Sequence, residues 1–175
     1  MFETLSPAML SAAVLLVAAC GLFLWAAASD LGAYRIPNLC VVAIVLLFFP
    51  YSLLGTGLAP LLPHLAAGGA VLLVGIPLYA FGLAGAGDFK LLAAAALWGG
   101  PGGLAALLLV MALGGGVLAG ICWLRSRRGM KTAGPAPQEG GEAESADPAI
   151  HLPYGVAISA GALFVLTQHL QTLLA

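Results

Sequence analysis

Apolar residues run in long blocks broken by Gly, Pro and a few charges, and within a block they occupy every face of a helix rather than one stripe. Blocks of this kind predict membrane-crossing helices, since a helix needs about 20 apolar residues to cross the hydrocarbon layer. Five are predicted, near Pro7 to Ala28, Leu39 to Leu58, Leu65 to Leu83, Leu104 to Leu124 and Leu152 to Leu174. A sixth run, Phe89 to Trp98, is short. At 1.5 Å per residue it covers roughly 15 Å, about half of a 30 Å core. The Gly-Pro-Gly stretch from Gly99 to Gly103 predicts a tight turn directly after it.

Whether the short run crosses is decided by the basic residues, because orientation follows Lys and Arg in short loops. If it crosses, Arg35, Lys90, Arg125, Arg127, Arg128 and Lys131 all fall on one side; if not, the group from Arg125 onward moves to the other. The expected architecture is therefore an all-α polytopic membrane protein with six transmembrane helices, the fourth short. It would sit in the cytoplasmic (inner) membrane with both termini outside, as a single membrane-embedded domain over 1–175. Within it, 125–151 reads as a flexible cytoplasmic linker, rich in Gly, Pro, Ala and acids with hardly a large apolar residue.

Composition agrees: 62% of residues are hydrophobic and 7% charged, too few polar side chains to coat a water-soluble globule. The net charge of −1 gives no electrostatic support for nucleic-acid binding. Cys20, Cys40 and Cys122 form no CxxC pair, and His64, His151 and His169 are scattered, with His64 and His169 expected at the outer side. No metal and no cofactor is expected. The first span, which lacks a basic n-region and outruns a signal peptide's apolar core, is expected to be retained. Gly116 and Gly120 form a GxxxG, and Gly68, Gly69 and Gly75 lighten the third span; close helix packing is their expected role.

Apart from Glu3 and the linker acids, only Asp30 and Asp88 carry carboxylates, and both border the hydrocarbon. A carboxylate at a helix centre in a membrane costs about 2.5 to 3.5 kcal/mol, so such residues usually have a task. Asp88 reads equally as a helix N-cap, and Asp30 as a loop acid paired with Arg35. The hairpin of spans two and three puts both on one side of the membrane. Two carboxylates meeting in a wet, low-dielectric recess can share one proton and activate water, which is aspartic-protease chemistry.

The residues around them resemble a known family. The segment Asp30-Leu31-Gly32-Ala33-Tyr34-Arg35-Ile36-Pro37-Asn38 resembles the D-x4-[RK]-IPN segment of bacterial type IV prepilin peptidases. Gly85-Ala86-Gly87-Asp88-Phe89-Lys90 resembles their GxGDxK segment, and Leu152-Pro153-Tyr154-Gly155-Val156-Ala157 is similar to the PYG-x-A patch opening their last span. The short form is most similar to the peptidases of Flp/Tad-type pilus systems. The resemblance implies a GxGD intramembrane aspartic endopeptidase that removes the short basic leader from prepilins at the cytoplasmic face, with Asp30 and Asp88 catalytic. Its partners would be the prepilin substrate and the bilayer. The CxxC-bearing insert that accompanies N-methylation in longer members is missing, so methyl transfer is not expected.

The remaining site residues have local readings. Gly85 and Gly87 would let a substrate backbone approach Asp88, or serve a turn needing positive φ. Pro37 and Asn38 would start the second span, with Asn38 as cap, while Lys90 would snorkel at the boundary. Helix dipoles would favour Asp88 as the anion and Asp30 as the acid, unless Arg35 or Lys90 reverses the bias. The alternative reading is a small transporter or channel subunit using the two aspartates for ions or protons; a third is a silent scaffold.

Overall fold

The computed structural model describes residues 7–55, 61–81, 85–127 and 153–174. These form five helices, α1 (Pro7–Ala33), α2 (Asn38–Gly55), α3 (Leu61–Ala80), α4 (Ala86–Arg127) and α5 (Tyr154–Leu174). Among the described residues there is no strand. Four helices, α1, α3, α4 and α5, are long and apolar enough to cross a membrane, and α2 is apolar but shorter. Large apolar side chains stay on the outside of the bundle, with Leu39, Leu73 and Phe81 all more than 70% exposed. Such a surface suits a bilayer, where lipid tails and not water are the solvent.

Several boundaries differ from the apolar blocks. α1 continues past Ala28 to Ala33, which places Asp30 on the helix rather than after it. Pro50 and Pro77 lie inside α2 and α3. α4 runs to Arg127, into the start of the segment expected as linker; the rest of that segment lies outside the described residues.

Between Gly99 and Gly103 only Gly100 leaves helical geometry, at φ 58° and ψ −171°. That one residue divides α4 into two limbs, with Pro101 able to open the second because a helix's first position needs no N–H donor. The contacts of α5 show that the limbs fold back on each other. Val165 flanks both Gly99 and Gly103, while Gly114 in the second limb faces Ala157 and Gly115 faces Tyr154, near the start of α5. The second limb therefore runs antiparallel to α5 and returns toward the end at which the first limb began.

The first limb is the axis of the molecule. Every residue from Leu91 to Gly100 is buried, and α4 packs against α2, α3 and α5 while α1 packs against α2 and α5. α1 turns one stripe inward, Ala12, Leu16, Ala19, Phe23, Ala26 and Asp30, at alternating spacings of four and three. Small residues permit the closest approaches: a Cβ on Gly161 would lie 2.7 Å from the Leu107 carbonyl oxygen, and one on Gly68 would lie 3.0 Å from that of Ala93. The GxxxG of Gly116 and Gly120 does not act this way. Both are exposed and a Cβ on either would meet nothing within 4 Å, as at Gly69, because that face of the second limb points away from the bundle.

Candidate active site

Asp30 is the last member of the inward stripe of α1 and is 6% exposed. Its Oδ2 accepts a 2.7 Å hydrogen bond from the Gly155 N–H, while the Val156 N–H next to it bonds the Pro153 carbonyl at 3.2 Å. The donor to Asp30 belongs to the first turn of α5, where an N–H has no helical carbonyl four residues back to meet. The contact depends on Gly155 being glycine, since a Cβ there would stand 2.8 Å from Oδ2 and 3.0 Å from Cγ of Asp30. Just beyond Asp30 the helix is stopped by Tyr34, at φ 49°, whose N–H bonds the Asp30 carbonyl at 3.0 Å. Ser29 Oγ donates to the Arg35 carbonyl at 2.8 Å and ties down the turn that follows.

Asp88 lies in the first turn of α4. The Gly85 carbonyl accepts from the N–H groups of Asp88 (3.2 Å) and Phe89 (3.4 Å), and the Asp88 carboxylate lies back against Gly85, where a Cβ would stand 3.2 Å from its Oδ2. Gly85 takes the cap position and Asp88 stands three residues later, in the first turn. Asp88 is thus not the cap itself. Phe89 wedges the turn against α3: a Cβ on Gly75 would be 2.7 Å from its ring.

The aspartate-bearing segments meet. A Cβ on Gly87 would contact Ile36 at 3.7 Å, and Lys90 Nζ donates to Asn38 Oδ1 at 3.2 Å. Asp30, Asp88, Gly85, Gly87, Lys90, Pro37 and Asn38 are accordingly brought into one neighbourhood from α1, α2 and α4. Asn38 and Lys90 are used differently from the expectation. The N–H groups of Cys40 and Val41 bond the Pro37 carbonyl, while the Asn38 side chain holds Lys90, which bridges α4 to α2. Arg35 is exposed and its carbonyl takes the Ser29 bond.

Gly155 is the residue that the chemistry of single side chains missed. Its signal was present in the PYG patch, yet a glycine opening a helix carries no mark of the carboxylate it meets from a distant segment. The histidines also differ from the scattered picture. His64 and His169 stand together at the other end of the first limb, ring centroids 6.4 Å apart, while His151 lies outside the described residues. Among the described residues, no three His, Cys, Asp or Glu side chains converge.

A carboxylate bonded at the start of α5 and another in the first turn of α4, on segments that meet, form the kind of pair that can handle protons jointly. The model of one family, described as the type IV leader peptidase family, matches residues 5–123, a stretch that holds both aspartates. No curated protein and no solved structure gives a match. A match over more than half of the chain, centred on the two aspartate segments, makes the protein a member of the type IV leader peptidase family.

Proposed function

We propose that the protein is a membrane aspartic endopeptidase that cuts the short basic leader from type IV, Flp-like prepilins at the cytoplasmic face of the inner membrane. What supports this reading is that the segments following Asp30 and flanking Asp88 meet, Gly87 against Ile36 and Lys90 bonded to Asn38. The reading takes six crossings by counting the two limbs of α4 separately and including the shorter α2. Arg35 and Lys90 share the end that holds the aspartates, which favours that end as the cytoplasmic one.

Peptide hydrolysis needs an activated water, a polarised carbonyl and a protonated leaving amine, and two carboxyl groups sharing one proton supply all three. Asp30 accepts the 2.7 Å bond from the Gly155 N–H at the start of α5, so in this reading Asp30 is the anion and the base that takes a proton from water. Asp88 then donates its proton to the carbonyl oxygen, and the pair returns a proton to the departing nitrogen. This reverses the assignment expected from the dipoles of α1 and α4 alone, because the start of α5 is the nearer influence on Asp30. Methyl transfer is not part of the proposal.

The test is leader removal from a co-expressed prepilin, read as a gel shift, for wild type, Asp30→Asn and Asp88→Asn. Processing by wild type and by neither variant is expected. An active Asp30→Asn or Asp88→Asn protein would overturn the dyad, and a wild type that leaves prepilin uncut would overturn the substrate.

A further inference from the structure

The end of the first limb away from the aspartates holds polar groups that leader removal does not use. Position 101 is proline, so the Leu97 carbonyl lacks the N–H that would meet it four residues on in an unbroken helix. His64, from α3, takes that place, with Nδ1 2.8 Å from the Leu97 oxygen. A carbonyl only accepts, so this nitrogen carries the proton. His169, from α5, stands beside His64, ring centroids 6.4 Å apart, and reaches the end of the limb through Tyr51, whose ring lies 4.9 Å from that of Trp98. Both rings are themselves held. Phe48 stacks on His64 at 5.4 Å, Tyr51 meets His169 edge-on at 6.2 Å, and a Cβ on Gly100 would lie 2.7 Å from the His64 ring.

We propose that His64 and His169 are positioning residues for Asp88: they grip the carboxyl-terminal end of the limb whose amino-terminal end carries Asp88, and so fix how deep Asp88 sits against Asp30. This rests on the leader-peptidase reading. From Asp88 to Trp98 the limb is one piece of helix, about 15 Å long at 1.5 Å per residue. Its middle, Ala93 to Ala96, presents only methyl groups to its neighbours. Methyls form shallow ridges that resist sliding along the axis poorly, so the axial setting falls to the ends. Phe89 against Gly75 secures one end. The two histidines, with the Trp98 Nε1 bond to the Ile44 carbonyl at 3.0 Å, secure the other. A displacement of about 1 Å at a reacting group is enough to cost about a hundredfold in rate.

The experiment measures prepilin cleavage by the purified full chain in detergent, per folded molecule, for wild type, His64→Ala, His64→Asn and His169→Ala. Asn offers an N–H at nearly the position of imidazole Nδ1. The expected result is a kcat about tenfold or more lower for both Ala variants, KM within twofold of wild type, and recovery of most of the loss in His64→Asn. A histidine that only stabilises the fold would lower the folded fraction and leave kcat per folded molecule unchanged, which overturns the proposal, as does a His64→Asn no better than His64→Ala. Should His64→Ala not fold, His169→Ala decides by the same split. Wild type that fails to cut prepilin overturns the leader-peptidase reading itself; cutting by wild type and all variants alike overturns the positioning role alone.

Discussion

Replacing Gly155 by Ala tests the contact on which the base is built. The added Cβ would sit 2.8 Å from Oδ2, 3.0 Å from Cγ and 3.1 Å from Cβ of Asp30, all on a side chain anchored in the buried stripe of α1. Either the start of α5 or the carboxylate must give way by a few tenths of an ångström, which stretches the 2.7 Å bond from the Gly155 N–H. Overpacking costs about 1–3 kcal/mol, and a hydrogen bond to a charged group is worth about 1.5–3 kcal/mol. If about 1.5–3 kcal/mol of that falls on the reactive arrangement, at 1.36 kcal/mol per decade, kcat drops roughly ten- to a hundredfold. The assay is the rate of leader removal by purified protein in detergent, with the folded fraction measured alongside. Gly114→Ala is the control, because its Cβ would meet Ala157 at an ordinary 3.5 Å; it should stay within twofold of wild type. A folded Gly155→Ala protein that cuts at the wild-type rate would refute the idea that this amide holds Asp30 for reaction.

Gly75→Ala would drive a Cβ to 2.7 Å from the Phe89 ring, a strain of about 1–3 kcal/mol beside Asp88; thermal unfolding in detergent should show a lower midpoint, and cleavage should slow with it. Ser159 is 1% exposed and its Oγ has no hydrogen-bond partner among the described residues. Ser159→Ala removes a buried hydroxyl that gains nothing from folding, and should raise stability by about 1 kcal/mol, a rise of about 2–4 °C in Tm for a chain of this size; a fall of that size would mean that the hydroxyl is bonded.

The helical architecture was legible because a block of apolar residues in every direction has one physical solution in lipid, a helix that satisfies its own backbone. Helix orientation within the bundle was not legible by hydrophobicity, since lipid and protein interior are equally apolar. The inward face of α1 is marked instead by size, through Ala12, Ala19 and Ala26, and ends in Asp30. The same cue misled at Gly116 and Gly120, where small residues face outward. Asp30 and Asp88 stood out because a carboxylate in that setting is costly. Gly155 and His64 did not, because each acts through a backbone group of a distant helix, and backbone groups are the same at every position of a sequence. The break at Gly100 was visible as a glycine and proline cluster, but the orphaned Leu97 carbonyl and its donor needed three dimensions.

The bond between Gly155 and Asp30 joins positions 125 residues apart, and it orders events during synthesis. A ribosome makes α1 and both limbs of α4 before α5, so a nascent chain can hold both aspartates while Asp30 still lacks the amide that meets it. On the proposed dyad, competence to cut arrives only when α5 docks, and a half-made molecule in the membrane is a protease held in reserve.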